Sequence, residues 1–171
     1  MGIRPARCYK KMERPYTRQS RRKPKKGFVK GVPGSKIHRF EVGDNKGNFP
    51  VKMFLVAKKP AQVRHNALEA ARVSANKPLN DGLGKTGYFL KVRVFPHHVM
   101  RENPLASGAG ADRFQTGMRK AFGRPIGTAA RVKTGQKIIE ARVNAGKEAL
   151  LKKALKRASL KMPMPCDVVS G

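Results

Sequence analysis

The sequence is poor in acidic residues: 10 Asp and Glu stand against 39 Lys and Arg, which gives a formal net charge of +29. This excess is far beyond what solubility requires, and it predicts a polyanionic partner. The chain contains no Trp, and it has no run of about 18 apolar residues that could span a membrane. Because the N-terminus also lacks an apolar signal region, we expect an intracellular protein without a membrane partner.

Residues that perform catalysis or bind metals are scarce as well. The two cysteines, Cys8 and Cys166, stand near opposite ends of the chain, so we expect free thiols. His97 and His98 are adjacent, and an extended backbone would point them to opposite sides. No CxxC, HExxH, Walker A or GxSxG pattern occurs. The sequence therefore predicts no enzyme, cofactor, metal site or small-molecule substrate.

Residues 1–34 form a basic extension. The first 30 residues carry one acid, Glu13, and lack apolar periodicity, so we expect this segment to be mobile alone and ordered by RNA. Tyr9, Tyr16 and Phe28 are interleaved with the charges, which suits stacking on bases. A merely solubilising tail is the alternative. The predicted rRNA contacts in the extension are Arg4, Arg7, Lys10, Lys11, Arg14, Arg18, Arg21, Arg22, Lys23, Lys25 and Lys26.

Residues 35–165 show patterns of strands and helices. Apolar and polar residues alternate from Ile37 and again after Pro50, and the alternation in residues 88–95 places Lys91 and Arg93 on a basic face. Residues 61–76 show helical periodicity, with Pro78 at the expected exit. Residues 128–132 and 137–143 flank a turn and predict a hairpin.

A second helix closes the predicted domain. Asn144 is its expected N-cap, Leu151 and Leu155 lie on its apolar arc, and the opposite arc carries Lys152, Lys153 and Lys156 as expected rRNA contacts. The pattern predicts an α/β (α+β) fold: one domain of mixed, largely antiparallel strands with two packed helices. Residues 166–171 are expected to form a short tail.

Residues 97–125 lose all periodicity and predict a long central loop. The run Ser107 to Asp112 contains glycines but lacks the strand, helix and later acid of a dinucleotide-binding motif. Small residues allow close approach to another backbone, and nearby cations offer phosphate contacts. A flexible surface loop without function is the alternative.

Basic residues therefore occur in an extension, on a strand, on a helix and in a loop, so positive charge surrounds the core. A DNA reader would more often concentrate Asn, Gln and Arg on one recognition helix. Folded RNA, contacted from many directions through phosphates and 2′-hydroxyls, fits this distribution best. A free basic nucleic-acid-binding protein of chromatin or mRNA is the second hypothesis.

Three segments carry a specific resemblance. Residues 1–9 (MGIRPARCY), 92–96 (VRVFP) and 109–125 (AGADRFQTGMRKAFGRP) are similar to the universal ribosomal protein L-sixteen family, called L-ten-e in archaea and eukaryotes. The similarity spans about residues 2–163. Met12 stands where eukaryotic members carry a second cysteine. Residues 102–104 differ from the loop of eukaryotic members and are more similar to that of bacterial members. Because the chain departs from the eukaryotic pattern at both places, we expect an archaeal source.

The resemblance implies an alpha/beta-hammerhead fold and a protein of the large ribosomal subunit. It implies binding to large-subunit rRNA near 5S rRNA and the peptidyl transferase centre, beside neighbouring ribosomal proteins. It also implies that the central loop, about residues 101–115, helps to position A-site and P-site tRNA. The residues expected near tRNA are Arg101, Gly108, Gly110, Asp112, Arg113, Gln115, Arg119, Lys120 and Arg124.

Overall fold

The computed structural model describes residues 4–12, 22–23, 29–103, 108–113 and 122–171. Within them the chain forms eight strands and two α-helices. The strands are β1 (Glu41–Gly43), β2 (Val51–Ala57), β3 (Ala61–Arg64), β4 (Tyr88–Val92), β5 (His98–Glu102), β6 (Arg124–Val132), β7 (Lys137–Val143) and β8 (Cys166–Ser170). The helices are α1 (His65–Leu83) and α2 (Glu148–Ser159), and Ala6–Cys8 and Ala111–Arg113 form short 3-10 turns.

The strands build two antiparallel sheets. The larger sheet has the order β1-β4-β7-β2-β8 and the smaller has the order β3-β6-β5. In the larger sheet Leu55 of β2 stands opposite Ile139 of β7, and Leu90 of β4 stands opposite Ala141. This arrangement confirms the predicted α+β fold with antiparallel strands and two helices.

The core lies between the larger sheet and the two helices, which contact each other as well as the sheet. Val51, Met53 and Leu55 follow the alternation predicted for β2, and Met53 and Leu55 are buried. The apolar arc of α2 is likewise confirmed, because one face of the helix is buried and the lysine face is exposed. The fully buried helix residues are Leu68, Ala71, Ala75, Leu79, Leu151, Ala154, Leu155 and Ala158.

The first predicted helix was wrong at both ends. Residues 61–64 form β3 instead, because Ala61 and Val63 alternate inward and pair with Val132 and Ala130 of β6. The helix then runs through Pro78, which is buried among its core residues. Proline removes one backbone donor from a helix, but the helix continues to Leu83, with Gly84 at its C-cap, where φ is +68°.

The predicted hairpin was also wrong. The strands β6 and β7 are consecutive, but they belong to different sheets. The turn between them is held by the end of β2: Gly135 N donates to the carbonyl oxygen of Ala57 at 2.8 Å, and Ala57 N donates to that of Gln136 at 3.1 Å. The turn therefore connects the two sheets.

The central loop is shorter than predicted. Residues 98–102 form β5, which pairs with the beginning of β6, with Arg101 opposite Pro125. Residues 104–107 and 114–121 lie outside the described part of the chain. The remaining piece, residues 108–113, forms a turn in which Ala111 N donates to the carbonyl oxygen of Gly108 at 3.2 Å.

Three smaller expectations need correction. Residues 166–171, expected as a tail, include β8, which pairs along β2 from Ala57 to Met53. The strand predicted from Ile37 is shorter: β1 covers Glu41–Gly43, and before it the carbonyl oxygen of Phe40 accepts from Val92 N at 2.7 Å. The N-cap of α2 is Lys147, not Asn144, and no side chain caps this helix.

Candidate nucleic-acid interface

The lysine face of α2, formed by Lys152, Lys153 and Lys156, is fully solvent-facing. All three side chains are exposed, whereas Leu151, Ala154 and Leu155 on the opposite face are buried. Packing on one side therefore fixes the direction in which the charges point. Lysine presents a point charge on a flexible stem, so this face is suited to phosphate contacts and not to base reading.

The basic face predicted on β4 is partly neutralised within the protein. Lys91 Nζ lies 2.6 Å from the Glu41 carboxylate, and both groups are about two-fifths exposed. Arg93, just beyond the strand, donates from Nη1 to Glu140 Oε2 at 2.5 Å. These two predicted RNA contacts therefore also bind acids of the same sheet.

Among the described residues, Glu140 is the charged side chain that is buried, with 2% of its surface exposed. Arg142 Nε donates to Glu140 Oε1 at 2.7 Å, while Arg93 binds the other oxygen. Burial opposes ionisation of this carboxyl, but the hydrogen bonds and charges of the two arginines outweigh it and lower the pKa of Glu140. The arginines thus hold an anion inside the sheet.

The beginning of the basic extension is docked on the smaller sheet. Gln62 N donates to the carbonyl oxygen of Lys10 at 2.9 Å, and Arg64 Nη1 donates to that of Arg4 at 2.8 Å. Arg4 forms an ion pair with Glu102 of β5. Local apolar periodicity does not report such long-range polar contacts, and the mobility expected of the free extension stays a prediction.

Tyr9 contacts the smaller sheet, and its predicted stacking on bases stays a prediction. Its hydroxyl donates to Glu102 Oε2 at 2.7 Å, and the Arg64 guanidinium lies 5.5 Å from its ring centroid. Burial and the bond to Glu102 raise the pKa of Tyr9 to about 12, so the hydroxyl keeps its proton. Sequence reasoning missed Arg64 and Glu102, since neither belongs to a local motif.

The remaining extension residues are only partly described. Arg7, Lys10, Lys11, Arg22 and Lys23 are exposed. Tyr16 and Phe28, with the other predicted rRNA contacts of this segment, lie outside the described residues: Arg14, Arg18, Arg21, Lys25 and Lys26.

The central loop brings few of its predicted residues together. Gly108 and Gly110 have positive φ, and a Cβ at either position would meet no atom of the described residues within 4 Å. Arg113 and Arg124 are exposed, and the Arg101 guanidinium lies 6.0 Å from the ring centroid of Phe122. Asp112 belongs to the 3-10 turn. Its side chain lies outside the described part of the structure, and so do the whole residues Gln115, Arg119 and Lys120.

The thiols are free, as predicted: Cys8 is exposed and Cys166 is half-buried. Burial and the neighbouring Asp167 raise the pKa of Cys166 to about 11. In the described ranges, no three His, Cys, Asp or Glu residues come together as metal ligands. Likewise, neither described helix is long and apolar enough to cross a membrane.

Comparison with known proteins gives one consistent family. The sequence profile of ribosomal protein L16p/L10e matches residues 15–169. The large ribosomal subunit protein uL16 of Archaeoglobus fulgidus is 47% identical over 169 residues, which cover 99% of this chain and 93% of the relative. The proteins of the same name from Picrophilus torridus and Thermoplasma acidophilum are 51% and 49% identical over 170 residues, with 99% of this chain and 93% of each relative covered.

Proposed function

The chain belongs to the ribosomal protein L16p/L10e family, and from this membership we propose that it is a structural component of the large ribosomal subunit in the cytoplasm. The family resemblance expected from the sequence is thereby confirmed, and the archaeal relatives agree with an archaeal source. We assign it no reaction of its own.

Beside the family membership, one structural observation supports binding to RNA: the lysine face of α2 points away from a completely buried apolar face. A net charge of +29 on 171 residues requires a polyanion, and a fixed array of lysines on a rigid helix can follow a phosphate backbone. We propose that this face and the extension 1–34 bind large-subunit rRNA, close to 5S rRNA and the peptidyl transferase centre.

A finer role in tRNA positioning rests on the central loop. A Cβ at Gly108 or Gly110 would meet no atom of the described residues within 4 Å, and the exposed Arg113 follows them. A guanidinium offers a planar fork of donors to phosphate oxygens. We propose that this loop helps to position A-site and P-site tRNA beside neighbouring ribosomal proteins.

The experiment that tests the ribosomal role is co-sedimentation of the tagged chain with large subunits through a high-salt wash. A protein bound only by peripheral phosphate contacts loses affinity steeply with salt, whereas one interlocked with rRNA during assembly remains bound. Retention at a stoichiometry of one per subunit is expected. Complete release, with recovery on bulk mRNA or DNA, would instead identify a free basic nucleic-acid-binding protein.

A further inference from the structure

A cavity of about 430 Å³ lies where the docked extension meets the beginning of α1 and the smaller sheet. Arg4 and Tyr9 line it from the extension, Arg64 and Asn66 from the junction of β3 and α1, and Met100 and Ile126 from β5 and β6. Its volume falls in the range of roughly 300–1,000 Å³ that is typical of small-ligand sites.

The walls of the cavity are held in place by contacts between distant parts of the chain. The Arg64 guanidinium packs over the Tyr9 ring and donates to the carbonyl oxygen of Arg4. Lys36 N donates to Nδ1 of His65 at 3.1 Å, which fixes the imidazole at the first residue of α1. The cavity is therefore formed before any ligand arrives, which lowers the cost of binding.

Its electrostatics favour an anion. Arg4, Lys36 and Arg64 contribute three positive charges to the lining, and Glu102 contributes one negative charge. The helix α1 begins here without a side-chain cap and without an acid in its first turn. Its first amide groups therefore lack the partners that a capping residue would supply. The positive end of the helix dipole also lies at the cavity.

A second observation concerns polar atoms with no partner. Asn66 Oδ1 and Ser35 Oγ are buried and make no hydrogen bond among the described residues. Of these two residues Asn66 lines the cavity, whereas Ser35 does not. Buried polar groups in native proteins are normally paired, so the amide of Asn66 is the side chain available to hydrogen-bond a ligand.

We propose that the cavity binds one unpaired nucleotide of the RNA, with its phosphate toward Lys36 and the start of α1. The base lies against the apolar wall of Met100 and Ile126, and Asn66 hydrogen-bonds its edge. An amide can read the donors and acceptors of a base edge, and unpaired bases are the part of RNA that proteins read by sequence. This inference rests on the proposed binding of rRNA and adds a defined nucleotide site to it.

The test uses the full chain and the four nucleoside 5′-monophosphates as probes, titrated by NMR, with inorganic phosphate as the reference anion. We expect saturable binding of at least one mononucleotide, about tenfold or more tighter than that of inorganic phosphate. Asn66→Asp should raise its Kd by about tenfold or more, because the base edge loses the amide that binds it and the anion site gains a negative charge. Lys36→Gln should weaken binding less.

The matched control is Asn80→Asp, which makes the same change at an exposed position near the other end of α1. An acid in the first turn of a helix is favourable, and the thermal midpoint of Asn66→Asp, measured beside wild type, checks that the variant folds. Equal affinity for inorganic phosphate and every mononucleotide would overturn the nucleotide site, and so would unchanged binding in Asn66→Asp.

A second readout separates this site from the ribosomal role. Large subunits carrying Asn66→Asp should show one rRNA base with increased dimethyl sulfate reactivity relative to wild type and to Asn80→Asp. A chain that co-sediments with subunits but binds no mononucleotide keeps the proposed function and loses the nucleotide site. A chain that binds a mononucleotide without entering subunits overturns the ribosomal source of the nucleotide.

Discussion

Arg93 donates to the buried carboxylate of Glu140 at 2.5 Å across 47 positions of sequence. Arg93 follows β4 and Glu140 lies on β7, the strand next to β4 in the larger sheet. Arg142 of the same strand binds the other carboxylate oxygen, so two cations share one buried anion. An arginine that the sequence predicts as an RNA contact therefore also stabilises the sheet.

Removing this anion should destabilise the protein at neutral pH. Glu140→Gln keeps the size of the side chain but loses two charge-assisted hydrogen bonds, so we expect the free energy of unfolding to fall by roughly 1–3 kcal/mol. The control is Glu41→Gln, which removes the exposed pair with Lys91 and should cost about 1 kcal/mol or less. Urea unfolding measures both, and equal losses would contradict the role of Glu140.

The interactions of Glu140 with Arg93 and Arg142 also predict how stability depends on pH in acid. Because the pKa of Glu140 is lowered in the folded protein from its ordinary value of 4.5, its contribution is complete above that value and is lost as the pH falls through the folded pKa. The free energy of unfolding should therefore decline below about pH 4.5, and it should decline less in Glu140→Gln. Identical pH profiles for the two proteins would exclude this carboxylate as a cause.

Contacts of this kind also mark the limit of sequence reasoning. The apolar arc of α2 was predictable because residues three and four apart report one helix face directly. The docking of Tyr9 on Glu102 spans 93 positions, and nothing near Tyr9 in the sequence indicates it. In the same way, Val63 fits a helix pattern until Ala130 is known to pair with it.

The hydroxyl of Tyr9 should hold the extension on the smaller sheet. Tyr9→Phe keeps the ring under Arg64 but removes the bond to Glu102, so the docked segment should open more readily. We expect the amide of Gln62, which donates to Lys10, to exchange roughly tenfold faster, as the loss of about 1.5 kcal/mol implies. Hydrogen exchange by NMR measures this, with the amide of Leu90 in β4 as the internal control. Unchanged exchange at Gln62 would show that the segment docks without this bond.

Gly43 ends β1 in a conformation that other residues cannot occupy. Its φ is +92°, and a Cβ there would lie 2.1 Å from the carbonyl oxygen of Tyr88. We expect Gly43→Ala to lower the free energy of unfolding by about 3 kcal/mol or more. Gly135→Ala is the matched control, since its φ is +76° but no atom lies within 4 Å. The control should show only the backbone strain of about 1–2 kcal/mol, and thermal unfolding of both variants would separate clash from strain.

The lysine face of α2 should contribute to binding through phosphates alone. Replacing Lys152, Lys153 and Lys156 by Gln should reduce the slope of log affinity against log salt for rRNA by roughly 2–3, because each phosphate contact contributes about 0.7–0.9. Lys58→Gln is the control, since Asp167 already pairs this cation. Filter binding to rRNA fragments over a salt series gives the slopes. An unchanged slope in the triple variant would show that these lysines make no phosphate contacts and are only solvated.

The central loop should matter for tRNA and little for folding. Deleting residues 108–111 removes Gly108 and Gly110, whose Cβ positions have no atom within 4 Å in the described part of the chain. We therefore expect the thermal midpoint of the free protein to change by no more than a few degrees and the variant to enter large subunits. Single-turnover peptide-bond formation on reconstituted ribosomes should slow, because Arg113 loses the backbone that presents it.

Arg113→Lys tests the same loop without shortening it. A lysine keeps the charge but cannot offer two parallel donors to one phosphate, so this variant should slow peptide-bond formation by a smaller factor than the deletion. Wild-type rates in both variants would refute the proposed role in tRNA positioning. Loss of folding in the deletion would instead place residues 108–111 within the structural core, since a solvent-facing turn contributes few of the contacts that stabilise a domain.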